Sequence, residues 1–204
     1  MSKNIRVPKQ QRAIDKKERI IEAGFDLICK NGYYNTNTAE IAKKAKVSTG
    51  IIYQYFKDKY DIFIEGLEKY EDHIFFPMLE NNKIAFTKKN FDSSIKQMID
   101  YYITNHKVSK TAHEEIMSMI HSDEKVASYY YKREIEMTNI LKKILEENGF
   151  NATNLYEKVH LMIGLIDNLC HEIIYHKHDD MDYDIMTNLI INNIKNLFKD
   201  DLIH

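Results

Sequence analysis

Residues 37–59 read Asn-Thr-Ala-Glu-Ile-Ala-Lys-Lys-Ala-Lys-Val-Ser-Thr-Gly-Ile-Ile-Tyr-Gln-Tyr-Phe-Lys-Asp-Lys. The pattern predicts two short helices joined by a tight turn, one from Thr38 to Ala45 and one from Thr49 to Phe56. Asn37 can cap the first, and Glu40, three residues on, completes a capping box. Ile41, Ala42 and Ala45 give that helix a small apolar face, and Val47 is the buried residue of the turn. Ser48 can cap the second helix, whose Ile52 and Phe56 lie four apart and face back toward the first. The outer face of the second helix then carries Thr49, Gly50, Tyr53, Gln54 and Tyr55. These are small, polar or phenolic groups without a carboxylate, a composition that suits contact with phosphates and base edges.

The surroundings of this stretch point the same way. The chain has 204 residues, with only 6 Gly and 2 Pro, and no sustained alternation of period two. Lys, Glu, Ile, Leu, Met and Asn dominate, which predicts an all-α protein. Residues 1–60 hold 13 Lys/Arg against 6 Asp/Glu, a net of +7, whereas the remainder carries −9. A basic first third on an acidic body is the asymmetry of a chain that meets a polyanion at one end. A solvated basic helix surface gives the same count, so charge alone does not decide. Residues 1–14, with Lys3, Arg6, Lys9 and Arg12 around Pro8, read as a basic arm, either solvated or ordered on DNA.

The next helix upstream is expected from Asp15 to Asn31, with Ile20, Ile21, Gly24, Phe25, Leu27 and Ile28 on its apolar side and Gly32 as its left-handed stop. Residues 19–63 resemble the DNA-binding domain of the TetR family of transcriptional regulators. The likeness rests on Arg-Ile-Ile-x-Ala-x-x-x-Leu-Ile, Asn-Gly-Tyr, Thr-x-x-x-Ile-Ala and Val-Ser-x-Gly-x-Ile-Tyr-x-Tyr-Phe-x-x-Lys, in that order and without a gap. Two positions depart from the family pattern. Lys46 occupies the turn position usually held by Gly, and Gly24 stands where Ala is usual. The resemblance implies that Asn37 and Thr38 bond phosphate and that Ser48, Thr49 and Gly50 lie at the groove mouth. By the same resemblance Tyr53 and Tyr55 donate to phosphates, and Lys59 holds one more. Gln54, pointing outward, is the base reader it implies, since an amide can pair bidentately with adenine.

The expected architecture is an N-terminal three-helix helix-turn-helix domain over residues 1–60 and a larger helical sensing and dimerisation domain over 61–204, about nine helices in all. A fourth helix, Asp58 to Phe76 with Ile62, Phe63, Leu67, Tyr70 and Ile74 inward, is expected to stop at Pro77 and to act as a lever between the domains. Further helices are predicted over Phe91–Asn105, Lys110–His121 and Asp123–Asn148, the last carrying Ile135 among its apolar residues. Two more, over Asn154–His176 and Tyr183–Lys199, have apolar residues around more than one stripe, which predicts a four-helix interface with a second copy. Its expected residues are Val159, Ile163, Ile166, Cys170, Ile174, Met186, Leu189, Ile190, Ile194 and Leu197.

The resemblance also implies a ligand cavity in the body. Met and Tyr are abundant there, and the candidate lining is Met98, Tyr102, Met117, Tyr130, Met137, Met162, Asp167 and His171. Asp167 and His171, four apart, could pair on one helix face. No glycine-rich phosphate loop, Cys-x-x-Cys pair or nucleophile elbow is present, so no enzyme, cofactor or metal is expected, and His176-Lys-His178-Asp179-Asp180 reads as a solvated connection. Cys29 and Cys170 lie too far apart in sequence to suggest a disulfide framework, which fits a reducing cytoplasm. No apolar stretch approaches the roughly 20 residues of a membrane span.

The function implied is a homodimeric regulator, a repressor that leaves a pseudo-palindromic double-stranded DNA operator when a small molecule binds. Half-site centres would lie about 34–36 Å apart or somewhat more. Two alternatives are a dimeric regulator without such a sensor, controlled by abundance or a protein partner, and a helical ligand-binding protein or enzyme.

Overall fold

The computed structural model describes residues 8–74, 84, 86–106 and 109–202. Among these residues the chain is helical and contains no strand. The helices are α1 (Gln11–Asn31), α2 (Thr38–Ala45), α3 (Thr49–Tyr55), α4 (Lys59–Ile74), α5 (Phe91–Asn105), α6 (Lys110–Ser122), α7 (Glu124–Glu147), α8 (Leu155–Tyr175), α9 (Tyr183–Leu197) and α10 (Lys199–Leu202). A 3-10 turn, Lys88–Asn90, precedes α5. None of the described helices is long and apolar enough to cross a membrane. Lys3, Arg6, the α4 stop at Pro77 and the inward placement of Ile74 lie outside the described residues and side chains.

The chain divides into two compact units, and the division differs from a boundary at residue 60. The first unit comprises residues 1–72 together with 108–128, and the second comprises 73–107 with 129–204. Hence α6 and the first residues of α7 return to the unit that holds α1–α4.

In the first unit, α1 begins one turn earlier than its periodicity implied. Gln11 starts it, with its side-chain amide donating to Asp15 at 2.7 Å. Gly32 ends it at φ +92°, a value any side chain resists, while its N–H donates to the Ile28 carbonyl at 2.9 Å. The core joins Ile20, Ile21 and Ala23 of α1, Ile41, Ala42 and Ala45 of α2, Ile52 and Tyr55 of α3, and Phe56 and Ile62. Each large apolar side chain buried there stabilises the unit by roughly 1.5–3 kcal/mol. Beside this core Phe25 lies over Phe63 and Tyr70, with ring centroids 6.0 Å apart in both pairs.

The capping box of α2 is formed. The Asn37 side chain accepts from the Ala39 and Glu40 N–H groups at 3.0 Å, and the Glu40 carboxylate accepts from the Asn37 N–H at 3.4 Å. The turn after α2 has a left-handed residue, Lys46, at φ +56° and ψ +45°. Two bonds close it, Val47 N–H to the Ala42 carbonyl at 3.0 Å and Lys46 N–H to Lys43 at 3.3 Å. This is the Schellman arrangement that glycine usually serves, here held by a lysine. A left-handed conformation costs a residue with Cβ about 1–2 kcal/mol, offset in part by the smaller conformational freedom of its unfolded chain. Lys46→Gly is therefore expected to raise stability by up to ~1 kcal/mol, a Tm gain of about 2 °C in thermal circular dichroism. A fall in Tm would mean that the lysine side chain itself stabilises the turn.

In the second unit α5, α8 and α9 pack on one another. Asp123, which lies in the first unit, caps α7, accepting from the Lys125 and Val126 N–H groups at 2.9 and 3.1 Å. Phe91, Phe150 and Phe198 form a closed aromatic group with centroids 5.1–6.1 Å apart. Beside it the buried Asp201 of α10 accepts from the Asn151 N–H at 2.8 Å. Ile135, expected among the apolar residues of α7, is 41% exposed.

Candidate nucleic-acid interface

The outer face of α3 is built by its shortness. In seven residues only one face can turn inward, and at 100° per residue that face holds positions 52, 55 and 56 together. Ile52, Tyr55 and Phe56 are all buried, with Tyr55 only 4% exposed. The expectation that Tyr55 reaches phosphate is thus corrected: it sits three residues from Ile52, on the core side of the helix. Tyr53, by contrast, is 42% exposed. Ser48, Gly50 and Gln54 are exposed with it, and Thr49 is half-buried. A Cβ added at Gly50 would meet nothing closer than the Ser48 hydroxyl at 4.0 Å, so the fold itself does not require glycine there. Ser48 does not cap α3; it makes no side-chain capping bond.

The N-terminus of α2 lies beside this face. The Thr38 hydroxyl and the Tyr53 phenol are 3.1 Å apart and share a hydrogen bond. Asn37 uses its amide oxygen as the α2 cap, which leaves its NH2 as the donor that could meet phosphate.

Lys59 does not extend outward as a phosphate ligand. Its ammonium donates to the Thr36 carbonyl at 2.9 Å and to the Tyr33 carbonyl, and lies 4.2 Å from the centre of the Tyr33 ring. Desolvation lowers its pKa. The turn between α1 and α2 presents two inward carbonyls, and a cation satisfies both; that role corrects the expected one. Lys43, Lys46 and Lys57 are among the exposed basic groups of this unit, while Lys44 pairs with Asp26.

Sequence reading missed the other side of the same turn. Glu115 of α6 accepts from the Tyr33 N–H at 2.5 Å. Burial first, and then the nearby Asp58 and Asp123 carboxylates, push the Tyr33 phenol up to about 12. The nearest signal in the sequence was the Asn-Gly-Tyr triplet; its partner stands 82 positions away, where no local pattern points to it.

Of the expected ligand-pocket residues, Tyr102, Asp167 and His171 come together. The Tyr102 hydroxyl donates to Asp167 Oδ1 at 3.1 Å and lies 2.9 Å from His171 Nε2, and His171 Nδ1 is 3.2 Å from Asp167 Oδ2. Burial, and then the Asp167 carboxylate, hold the Tyr102 phenol well above its ordinary range. Tyr130 is half-buried, and Met98, Met137 and Met162 are buried in the second unit. Met117 belongs to α6 and so to the first unit, apart from the other seven. An open cleft at the connection between α8 and α9 is lined by residues 177 and 179–184, none of which was expected to line a pocket.

Four of the residues expected to form the interface between copies, Val159, Ile166, Cys170 and Ile194, are buried inside the chain's own second unit. Their stripe is covered by neighbouring helices of the same chain, which periodicity cannot distinguish from a partner's. Ile163, Ile174, Met186, Ile190 and Leu197 are half-buried, and Leu189 is exposed. The apolar residues with the most exposed surface on α8 and α9 are Leu161, Ile185 and Leu189, each more than half exposed.

Residues 20–65 match the family model described as bacterial regulatory proteins, tetR family. Over 64 residues the chain is 45% identical to the HTH-type transcriptional regulator HbdR of Aromatoleum sp. (strain CIB), covering 29% of this chain and 28% of HbdR. Over 46 residues it is 48% identical to the fatty acid metabolism regulator protein of Bacillus subtilis (strain 168), covering 22% of this chain and 24% of that one. The matched stretch is thus under a third of the length of either relative. Across the whole chain the fold is similar to that of a transcriptional regulator from Rhodococcus sp. Rha1, with a TM-score of 0.67 at 15% identity over 91% of this chain and 97% of that one.

Proposed function

We propose, for a chain that belongs through its residues 20–65 to the tetR family of bacterial regulatory proteins, that it is a cytoplasmic, sequence-specific DNA-binding transcriptional regulator acting as a homodimer. The observation that carries this reading is the carboxylate-free outer face of α3, with Gly50, Tyr53 and Gln54 exposed and Thr49 half-buried, beside the capped start of α2. Tyr53, Thr38, Asn37 and Ser48 supply neutral donors for phosphate, and Gln54 reads a base edge. The exposed apolar residues Leu161, Ile185 and Leu189 support pairing of α8 and α9 with a second copy, which sets the spacing of two reading helices. In this reading the regulator represses, and a small molecule taken into the second unit favours a conformation with lower DNA affinity. The Tyr102–Asp167–His171 group is the polar end of that ligand site.

The test is selection by the full-length protein from a pool of random-sequence duplexes. A pseudo-palindromic duplex should be enriched, and its affinity should fall steeply with salt because phosphate contacts release counterions. Failure to enrich any sequence, or a flat salt response, would sink the reading. Light scattering at micromolar concentration should give a dimer, and a monomer would remove the role of α8 and α9.

Gly50→Ala separates fold from function within this face. The added methyl meets open space and alanine has the higher helix propensity, so the melting temperature should hold or rise by up to about 2–4 °C. Affinity for the selected duplex should nevertheless fall, because the methyl would occupy the gap through which backbone approaches DNA. Unchanged affinity would mean that Gly50 does not lie against the duplex.

A further inference from the structure

We infer that Glu115 is a positioning residue for DNA binding: from α6 its carboxylate holds the turn between α1 and α2, and through that turn the start of α2, in the geometry that meets phosphate. The inference rests on the DNA-binding reading of the first unit and adds to it a control point outside the residues that touch DNA.

The turn spans residues 32–37 and is held at both faces of one peptide group's neighbour. Glu115 Oε1 accepts from the Tyr33 N–H at 2.5 Å. The Tyr33 carbonyl, on the far side of the same residue, accepts from the Lys59 ammonium. The second Lys59 bond, 2.9 Å to the Thr36 carbonyl, carries the restraint three residues along the turn. The Thr36 hydroxyl ties back to the Gly32 carbonyl at 3.0 Å, closing the turn on itself. The next residue is Asn37, the α2 cap, followed by Thr38, whose hydroxyl bonds Tyr53 of α3. Four residues therefore separate the peptide that Glu115 grips from the start of α2 and its link to the reading helix.

The carboxylate is also closely seated. A Cβ at Gly32 would lie 3.5 and 3.6 Å from its two oxygens, so the carboxylate covers the glycine that ends α1. It is near enough to the buried Cys29 thiol to add to the effect of burial on that group. A charged acceptor strengthens a hydrogen bond to a backbone N–H relative to a neutral one. Glu115 belongs to the α6 segment that returns to this unit from more than thirty positions beyond residue 72. Any change that moves α6 on α1 loosens the grip on Tyr33 directly, without passing through α4.

The experiment uses the full chain and the duplex that wild type enriches from the random pool. Glu115→Ala removes the acceptor; Glu115→Gln keeps an amide oxygen in its place. Loss of the bond should weaken E115A binding about five- to ten-fold, the range of one ordinary intramolecular hydrogen bond. E115Q should recover most of the affinity. In both proteins the amide hydrogen exchange of residues 33–38 should report the same order, fastest in E115A, with the α2–α3 core amides unchanged. Equal affinity of E115A and wild type overturns the inference. So does an E115Q as weak as E115A, which would assign the effect to charge. Should wild type enrich no duplex, the DNA-binding reading fails by itself, and unchanged Tyr33 exchange in E115A would then overturn the clamp independently.

Discussion

Replacing Gly66 with alanine is expected to destabilise the first unit by about 1–3 kcal/mol, the usual cost of overpacking a core. The new Cβ would stand 2.7 Å from both Cβ and Cδ2 of Phe25 and 2.8 Å from its Cγ. The near edge of that ring, and its attachment to the backbone, lie in the way, so a rotamer change alone cannot clear it. The ring is further confined by Phe63 and Tyr70, each 6.0 Å away between centroids. Relief would have to come from moving α4 away from α1, which disturbs the Ile62 and Leu67 contacts on the same helix face. Thermal unfolding should show a drop of roughly 3–10 °C. An alanine variant as stable as wild type would mean that the two helices are not this close. The same kind of close approach accounts for Gly24, which stands where alanine is usual. Propensity favours alanine at that place by up to ~1 kcal/mol. Yet a Cβ there would come within 2.4 Å of Ile62 Cγ2, so the glycine is where α4 needs room.

Gln54→Ala is expected to weaken binding to the selected duplex by roughly 1–3 kcal/mol, about five- to 150-fold, the discrimination carried by a good bidentate base contact. The side chain is exposed and makes no part of the core, so stability should not change. The loss should be confined to duplexes that carry the selected base pair, and the salt slope should stay the same because no charge is removed. Tyr53→Phe gives the contrast. It removes a hydroxyl shared with Thr38, so it should weaken binding to every sequence alike. If Gln54→Ala instead weakens all duplexes equally, or none, its assignment as base reader is wrong.

Much of the first unit was legible because its signals are local. The Asn37–Glu40 capping box, the α2 and α3 spans to within one residue, and Gly32 as a helix stop each follow from residues a few positions apart. Tyr55 was misplaced for a reason that is also local. A face defined by 52 and 56 alone leaves 55 undecided, and the 3.6-residue period puts it with them. Lys59 could not be read, because its partners are two backbone carbonyls of a turn and carry no side-chain signature. In the second unit, Val159 and Ile194 have the same spacing whether their cover comes from this chain or from a copy. Asp167 and His171 were adjacent by helical spacing, whereas Tyr102 joins them from 65 positions away, a meeting only the fold supplies.

The return of α6 to the first unit bears on how such proteins can be cut and recombined. A fragment ending near residue 60 or 72 would carry the proposed DNA-reading face yet leave the α6-facing side of α1 bare to water. The missing cover is α6, on which Ala112, Ile116 and Met119 are buried. Exchanging reading heads between relatives by swapping only the first sixty residues would mate one parent's α1 with the other's α6. The stretch 110–122 should therefore travel with the head, although the alignable part of the chain stops long before it. The unit proposed to carry specificity is discontinuous in the gene, and its two pieces would have to change in step.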